Sequence, residues 1–439
     1  MERLNRRGHF SGLVTLVLLI TIGAMGASLS AAPARTKKGA AQRESMQDAG
    51  AAQKADQPSP AGFGKDLAFL QRHLKIAVLS DAGGKAQVAV APDLQGRVMT
   101  STAGGAQGPS YGWINRDLIA SGEKLPHING YGSEDRFWFG PEGGQFGLYF
   151  KQGDPFDFDH WQVPAVIDTE PFQVVSQRPT QIVLTKTTRL VNHSGTAFDV
   201  KVERMVRLLD RLEAAKRLGL SLDPALKLVA YESDNALTNT GKAAWTRETG
   251  LISIWILGMM NASPTTTIVL PFVEGPETML GPIVNDAYFG KVSADRMKIG
   301  KGVIFFKGDS RMRGKLGLSP RRAKPILGSY DKASGTLTLI QYTKPEGALH
   351  YVNSMWEQQK NPYGGDVDNA YNDGPPKPGM KQIGRFYELE SSSPAEALAP
   401  GASLTHIQRT FHIQGSPAAL DFLARTILGV GIEEIAAAF

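Results

Sequence analysis

Between Phe198 and Glu203 the chain alternates without a break: Phe198, Val200 and Val202 are separated by Asp199, Lys201 and Glu203. A period of two puts the three apolar side chains on one face of an extended segment, the pattern of a half-buried strand. Short runs of β-branched and aromatic residues recur along most of the 439 residues, divided by clusters of Gly, Pro, Asn and Asp. They include Ala86–Ala91, Arg97–Thr102, Phe146–Phe150, Phe172–Ser176, Gln181–Val191 and Leu251–Met260 in the first part of the chain. Thr265–Phe272, Val303–Lys307, Thr336–Tyr342, Arg385–Glu390 and Ser403–Gln414 follow. Helical patterns do not alternate with these runs, which predicts a mainly β chain of packed antiparallel sheets rather than a parallel α/β fold.

A few short helices are expected as well. Leu67, Phe69, Leu70 and Leu74 gather towards one side of Lys65–Leu74, and Leu208–Leu218 has a helical pattern that ends before Asp223-Pro224. Near the C-terminus, Ser416-Pro417 offers an N-cap followed by proline at the first helical position. Leu420, Leu423, Ala424, Ile427 and Leu428 then form one apolar stripe, with Gly429 as the stop.

The first residues have the three parts of a secretory leader. Arg3, Arg6 and Arg7 are followed by an apolar stretch from Leu13 to Ile22 and by small residues around Ala32 and Ala34. That apolar stretch is shorter than the roughly 20 residues that span a bilayer, so a cleaved leader over 1–34 is expected rather than a transmembrane anchor. Residues 35–64 are rich in Ala, Gln, Lys, Asp and Pro, a composition that buries too little apolar surface to order itself, and are expected to be a linker. The folded domain is expected over 65–439, exported to the periplasm or the outside. With no cysteine, the chain has no disulfide and no thiol chemistry and must be stable through its core alone.

The net charge of +6 shrinks when divided along the chain. Three Arg and one Glu in residues 1–34 account for +2, and five basic and three acidic residues in 35–64 for another +2, leaving +2 on the rest. Nothing in that distribution points to a nucleic-acid partner.

Four clusters stand out chemically. Glu134, Asp135 and Arg136 lie between Tyr131 and Trp138, with Glu142 just beyond. Carboxylates and a guanidinium beside aromatic faces suit a carbohydrate; a glycine-rich hairpin with an internal ion pair explains the same residues. Asp366, Asp368, Asn369, Asn372 and Asp373 offer hard oxygen atoms that suit calcium, although the spacing is not that of an EF-hand. A solvated or sugar-facing polar loop is the other reading of that segment. On a strand, Glu388 and Glu390 point to one face about 7 Å apart, and like charges so placed raise a carboxyl pKa towards general acid–base use. Finally, His406, Gln408, Thr410 and His412 share one face of a strand, which is expected to meet solvent or a ligand.

Several segments are similar to the aldose 1-epimerase, or galactose mutarotase-like, group. Val90–Met99, including Arg97, resembles that group's early Gly-Gly-Arg strand, and Glu134-Asp-Arg136-Phe occupies the place of a segment with a sugar-binding arginine. Leu237–Gly241 is similar to a mid-chain Asn-x-Gly turn. Phe386-Tyr-Glu-Leu-Glu390-Ser-Ser-Ser-Pro394 with Pro400-Gly401 is similar to the motif that carries the catalytic base, which falls on Glu390. From about Phe63 onward the chain also looks like an uncharacterised family of secreted bacterial proteins, marked by Glu-Asp-Arg-Phe-Trp, Gly-Pro-Glu-Gly-Gly-Gln and Tyr-Asn-Asp-Gly. The resemblance implies a galactose mutarotase-like antiparallel β-supersandwich that binds a sugar on a concave sheet. It also implies a histidine general acid, but the corresponding segment Gly250–Gly258 contains none.

The expected ligand is therefore a sugar or oligosaccharide, with Glu390 and Glu388 as the catalytic candidates. Arg97, Glu134, Asp135, Arg136, Trp138, Glu142, Asn372, Asp373 and His412 are expected to bind the substrate. Asp366 and Asp368 are the metal candidates. A non-catalytic envelope scaffold and a polysaccharide lyase or hydrolase are the alternatives.

Overall fold

The computed structural model describes residues 62–376 and 379–439; the expected leader, and the expected linker apart from Gly62, Phe63 and Gly64, lie outside them. A helix at Phe63–His73 comes first, two residues earlier than predicted, because Phe63 is itself fully buried.

Strands β1 (Ala77–Ser80), β2 (Gln87–Ala91), β3 (Arg97–Thr102) and β4 (Ser133–Gly140) follow. Next come β5 (Gln173–Arg178), β6 (Gln181–Val191), β7 (Ala197–Leu209), β8 (Lys227–Asn239) and β9 (Ser253–Asn261). The middle of the chain supplies β10 (Thr266–Pro271), β11 (Met297–Ile299), β12 (Val303–Lys307), β13 (Gly314–Leu318) and β14 (Ile326–Asp331). The last are β15 (Thr336–Tyr342), β16 (Asp368–Asn372), β17 (Phe386–Ser392) and β18 (Ser403–Gln414).

They form an eight-stranded sheet in the order β1-β2-β3-β4-β9-β17-β16-β13 and a ten-stranded sheet in the order β11-β12-β10-β14-β15-β18-β8-β7-β6-β5. Neighbouring strands in both sheets run antiparallel. This is the mainly β, two-sheet sandwich that the strand pattern predicts.

The sheets bury apolar side chains against each other at two places. Val88, Val90, Val98 and Phe137 meet Val200, Val202, Tyr231 and Leu237 in one core. In the other, Leu316, Leu318 and Leu389 meet Ile268, Leu270 and Ile340. The predicted C-terminal helix forms at Pro417–Leu428, capped by the Ser416 hydroxyl and ended by Gly429 in the left-handed region (φ 80°). Its Leu420, Leu423, Ala424 and Leu428 cover Leu337, Leu339, Phe411 and Ile413 on the far side of the ten-stranded sheet.

Three local predictions give way to the structure. Phe146–Phe150 is a turn rather than a strand: Gly147 and Leu148 donate to the carbonyls of Gly144 and Pro141, and Leu148, Tyr149 and Phe150 are buried from irregular backbone. The helix at Leu208–Leu218 starts only at Arg211, because Leu208 and Leu209 continue β7 and Asp210 with Glu213 builds a capping box. The polar face of β18 meets neither solvent nor a cleft. His406, Gln408, Thr410 and His412 are all buried and turn towards the eight-stranded sheet, where His406 and Gln408 bond the Ser391 hydroxyl and His412 bonds Glu134.

Candidate functional site

A bulge in β4 sorts the first cluster of candidate residues. Ser133 lies opposite Met259 and Arg136 opposite Leu257, so β4 spends one residue more than β9 over the same stretch. Gly258 makes this possible, since a Cβ there would sit 2.1 Å from the Glu134 carbonyl oxygen. Glu134 and Asp135 consequently both turn inward. Glu134 accepts from the Ser101 hydroxyl at 2.8 Å and the Tyr231 hydroxyl at 3.0 Å, with His412 Nε2 at 3.1 Å. Asp135 is ion-paired with the fully buried Arg204 and accepts from the Ser233 hydroxyl at 2.8 Å. His412 also meets the Thr338 hydroxyl and stacks on Tyr111.

Past the bulge, alternation resumes. Phe137 and Phe139 point into the core while Arg136 and Trp138 line a cleft on the outer face of the eight-stranded sheet. Glu388 and Glu390 face the same way from β17, as their spacing predicts. Arg136 Nη2 donates to Glu388 Oε1 at 2.9 Å, and its guanidinium lies 4.6 Å from the centre of the Trp138 ring. Glu390 has no exposed surface; it accepts from Lys315 Nζ at 2.8 and 3.0 Å and from Trp255 Nε1 at 3.0 Å. Lys315 Nζ in turn lies 4.8 Å from the centre of a Trp255 ring. Each carboxylate is thus matched by one cation resting on one indole.

Loops complete the walls: Phe158 and Trp161 from one segment, Tyr288 and Phe289 from a second, and Trp356 from a third. Glu142, just after β4, accepts from Trp356 Nε1 at 3.0 Å. Asp373 accepts from the Tyr371 hydroxyl at 2.7 Å and the Gly384 amide at 2.9 Å.

Burial raises three of these carboxyls. Glu388 is pushed up to about 7, with Arg136 opposing and the neighbouring Glu390 reinforcing the rise. Glu142 also rises to about 7, held back by Lys315 and Trp356. Asp373 rises to about 6 against the pull of its two donors. Groups that are half-protonated near neutrality can both give and take a proton, which is the requirement for general acid–base chemistry.

The other candidates lie elsewhere. Arg97 is buried against Gln95, the carbonyls of Ile167 and Asp168, and the ring of Tyr131. Asn372 is fixed by the Ser310 amide and the Met312 carbonyl. Asp366 borders the cleft, bonded to Asn285 and Tyr288, whereas Asp368 faces the other sheet and accepts from Tyr342 at 2.7 Å. Burial lifts the Asp368 carboxyl well above its ordinary value. Asp366, Asp368 and Asn372 therefore spend oxygen atoms on protein donors and do not converge, and no group of three His, Cys, Asp or Glu that suits a metal occurs among the described residues. The segment does not fit the calcium expected of it.

Sequence reasoning missed Lys315, Trp255, Tyr288, Trp161 and Trp356. Trp255 is hidden in a strand that is apolar on both faces, and the others lie on segments with no motif of their own. No spacing or composition in the sequence marks them.

The family described as "Family of unknown function (DUF6786)" matches residues 61–439. The chain belongs to that family. No curated protein matches it. Among solved structures it is similar to Slr1438 of Synechocystis sp. PCC 6803, at 11% identity and a TM-score of 0.47, over 83% of this chain and 100% of that one. It is similar to a candidate aldose 1-epimerase of Escherichia coli K12, at 14% identity and a TM-score of 0.45, over 78% and 100% of the two chains. A galactose mutarotase-like protein of Lactobacillus casei ATCC 334 is similar at 10% identity and a TM-score of 0.44, over 77% and 100%. What the cleft of this DUF6786 protein can do follows from its own side chains.

Proposed function

We propose that this is an exported carbohydrate-binding protein whose cleft on the eight-stranded sheet takes a saccharide, with Glu388 on its wall available for acid–base chemistry and Glu390 holding Lys315 and Trp255 from behind. The observation that carries this reading is that Arg136, Trp138, Glu388, Trp255 and Lys315 line one cavity, with Glu390 buried behind the last two as their acceptor. Indole faces take the C–H face of a sugar ring, while charged donors and acceptors replace water on its hydroxyls. A shallow, uncharged face would have favoured a scaffold; this one is neither.

Glu142 favours hydrolase or lyase chemistry as a second reading. It borders the same cleft, feels the charge of Glu390, and its carboxyl is raised to about 7. It supplies a proton-carrying group in a site that has no histidine from the segment Gly250–Gly258.

Tryptophan emission tests the proposal, since Trp138, Trp161, Trp255 and Trp356 all line the cleft. A saturable change with a saccharide, weakened in Glu388→Gln, is expected. A change that is identical in that variant contradicts the site. Export is supported by the residues of 1–34, and N-terminal sequencing of the secreted protein should show cleavage after Ala32 or Ala34.

A further inference from the structure

The cleft consists of two cavities, of about 150 and about 130 Å³, which meet along Glu142, Trp255, Phe289 and Lys315. One extends to Arg136, Trp138 and Glu388. The other extends to Tyr288, Trp356 and Asn369. Each has its own aromatic surface and its own polar groups, and a single sugar ring in one leaves the other in water. The Arg136 guanidinium, lying over the Trp138 ring and bonded to Glu388, is the charged donor group of the first cavity. In the second, the Tyr288 hydroxyl and the Asn369 amide group lie together beside Asp366.

The junction has distinct chemistry. Glu142 is held there by Trp356, and its carboxyl, raised by burial to about 7, is protonated about half the time at neutral pH. Lys315 borders both cavities and lies 5.4 Å from the centre of the Tyr288 ring, so one cation serves both sides. A ligand oxygen that bridges two rings meets a donor there on either hand.

Building on the saccharide reading above, we infer that the site takes an oligosaccharide rather than a single sugar. One ring lies in the Arg136–Trp138 cavity, the next lies in the Tyr288–Asn369 cavity, and the bridging oxygen lies beside Glu142.

Titration calorimetry on the full chain tests this, with glucose, galactose, mannose and glucuronic acid each compared with its own di- and trisaccharides. At least one series should gain about ten-fold or more in affinity from one ring to two. Tyr288→Ala, a change at a half-buried loop residue, should weaken the di- and trisaccharide more than the single ring and so shrink that gain. A disaccharide that binds no tighter than its monosaccharide overturns the inference and leaves the saccharide reading standing. Equal loss for both lengths in Tyr288→Ala also overturns it. If no sugar of any length binds, the saccharide reading falls, and the inference with it.

Discussion

The indole N–H of Trp255 donates to Glu390 Oε2 at 3.0 Å, from the strand segment where a mutarotase-like resemblance implies a histidine. An indole donates but cannot accept or carry a proton, so it orients Glu390 and leaves proton transfer to other groups. On the proposed reading those groups are Glu388 and Glu142, whose carboxyls lie near 7.

Lys315 is the only cation in hydrogen-bond contact with Glu390 among the described residues. Lys315→Met should leave a buried carboxylate without its counter-charge and cost about 3–5 kcal/mol of stability. Urea unfolding at neutral pH measures this. A loss within the scatter of surface substitutions would mean that Glu390 does not depend on the pair.

The inward side of the β4 bulge is structural. Asp135→Ala should destabilise by about 3–5 kcal/mol, because Arg204 has no exposed surface and would keep its charge in the interior. Sugar affinity measured well below the melting temperature should stay as in the parent protein. A variant of parental stability that fails to bind sugar would place Asp135 in the binding site instead.

Two pH effects of opposite sign are expected. Glu388 holds its proton more tightly in the folded protein, at about 7 against an ordinary 4.5, so its contribution to stability falls as pH rises through that window. Glu388→Gln should flatten this part of the profile, and unfolding midpoints at about pH 5 and about pH 7.5 reveal it. The same gap between parent and variant at both values would contradict the raised carboxyl.

Burial lowers His406 from 6.5 to about 3, so the folded chain keeps it neutral while the unfolded chain protonates it. Stability from this group is present above the unfolded value and is lost as pH falls towards the folded one. The stability gap between the parent protein and His406→Gln should therefore narrow on acidification below about pH 6.5. A gap independent of pH would show that His406 takes up its proton equally in both states.

Periodicity made the two-sheet fold legible, because strands such as β7 alternate strictly and the C-terminal helix has its cap and stop in plain view. It also put Glu388 and Glu390 on one face. It could not see the β4 bulge, which depends on a glycine in a different strand, and so Glu134 and Asp135 were expected beside Arg136 when they point the other way. Nor could it tell a polar strand face that meets water from one that meets a second polar face, as β18 does. The cleft's second cavity is built by loop residues such as Tyr288 and Trp356, which only the fold brings together.

Saccharide binding in the cleft is the property on which the roles of Glu388, Lys315 and Trp255 all depend. A thermal-shift screen of the full chain against neutral sugars, uronates and oligosaccharides tests that most directly. Ligand at about 100 times its dissociation constant adds about 2.7 kcal/mol to stability, well within reach of the method. A selective rise in melting temperature, lost in Glu390→Gln, is the predicted result. No rise with any sugar, or a rise undiminished in that variant, would contradict it.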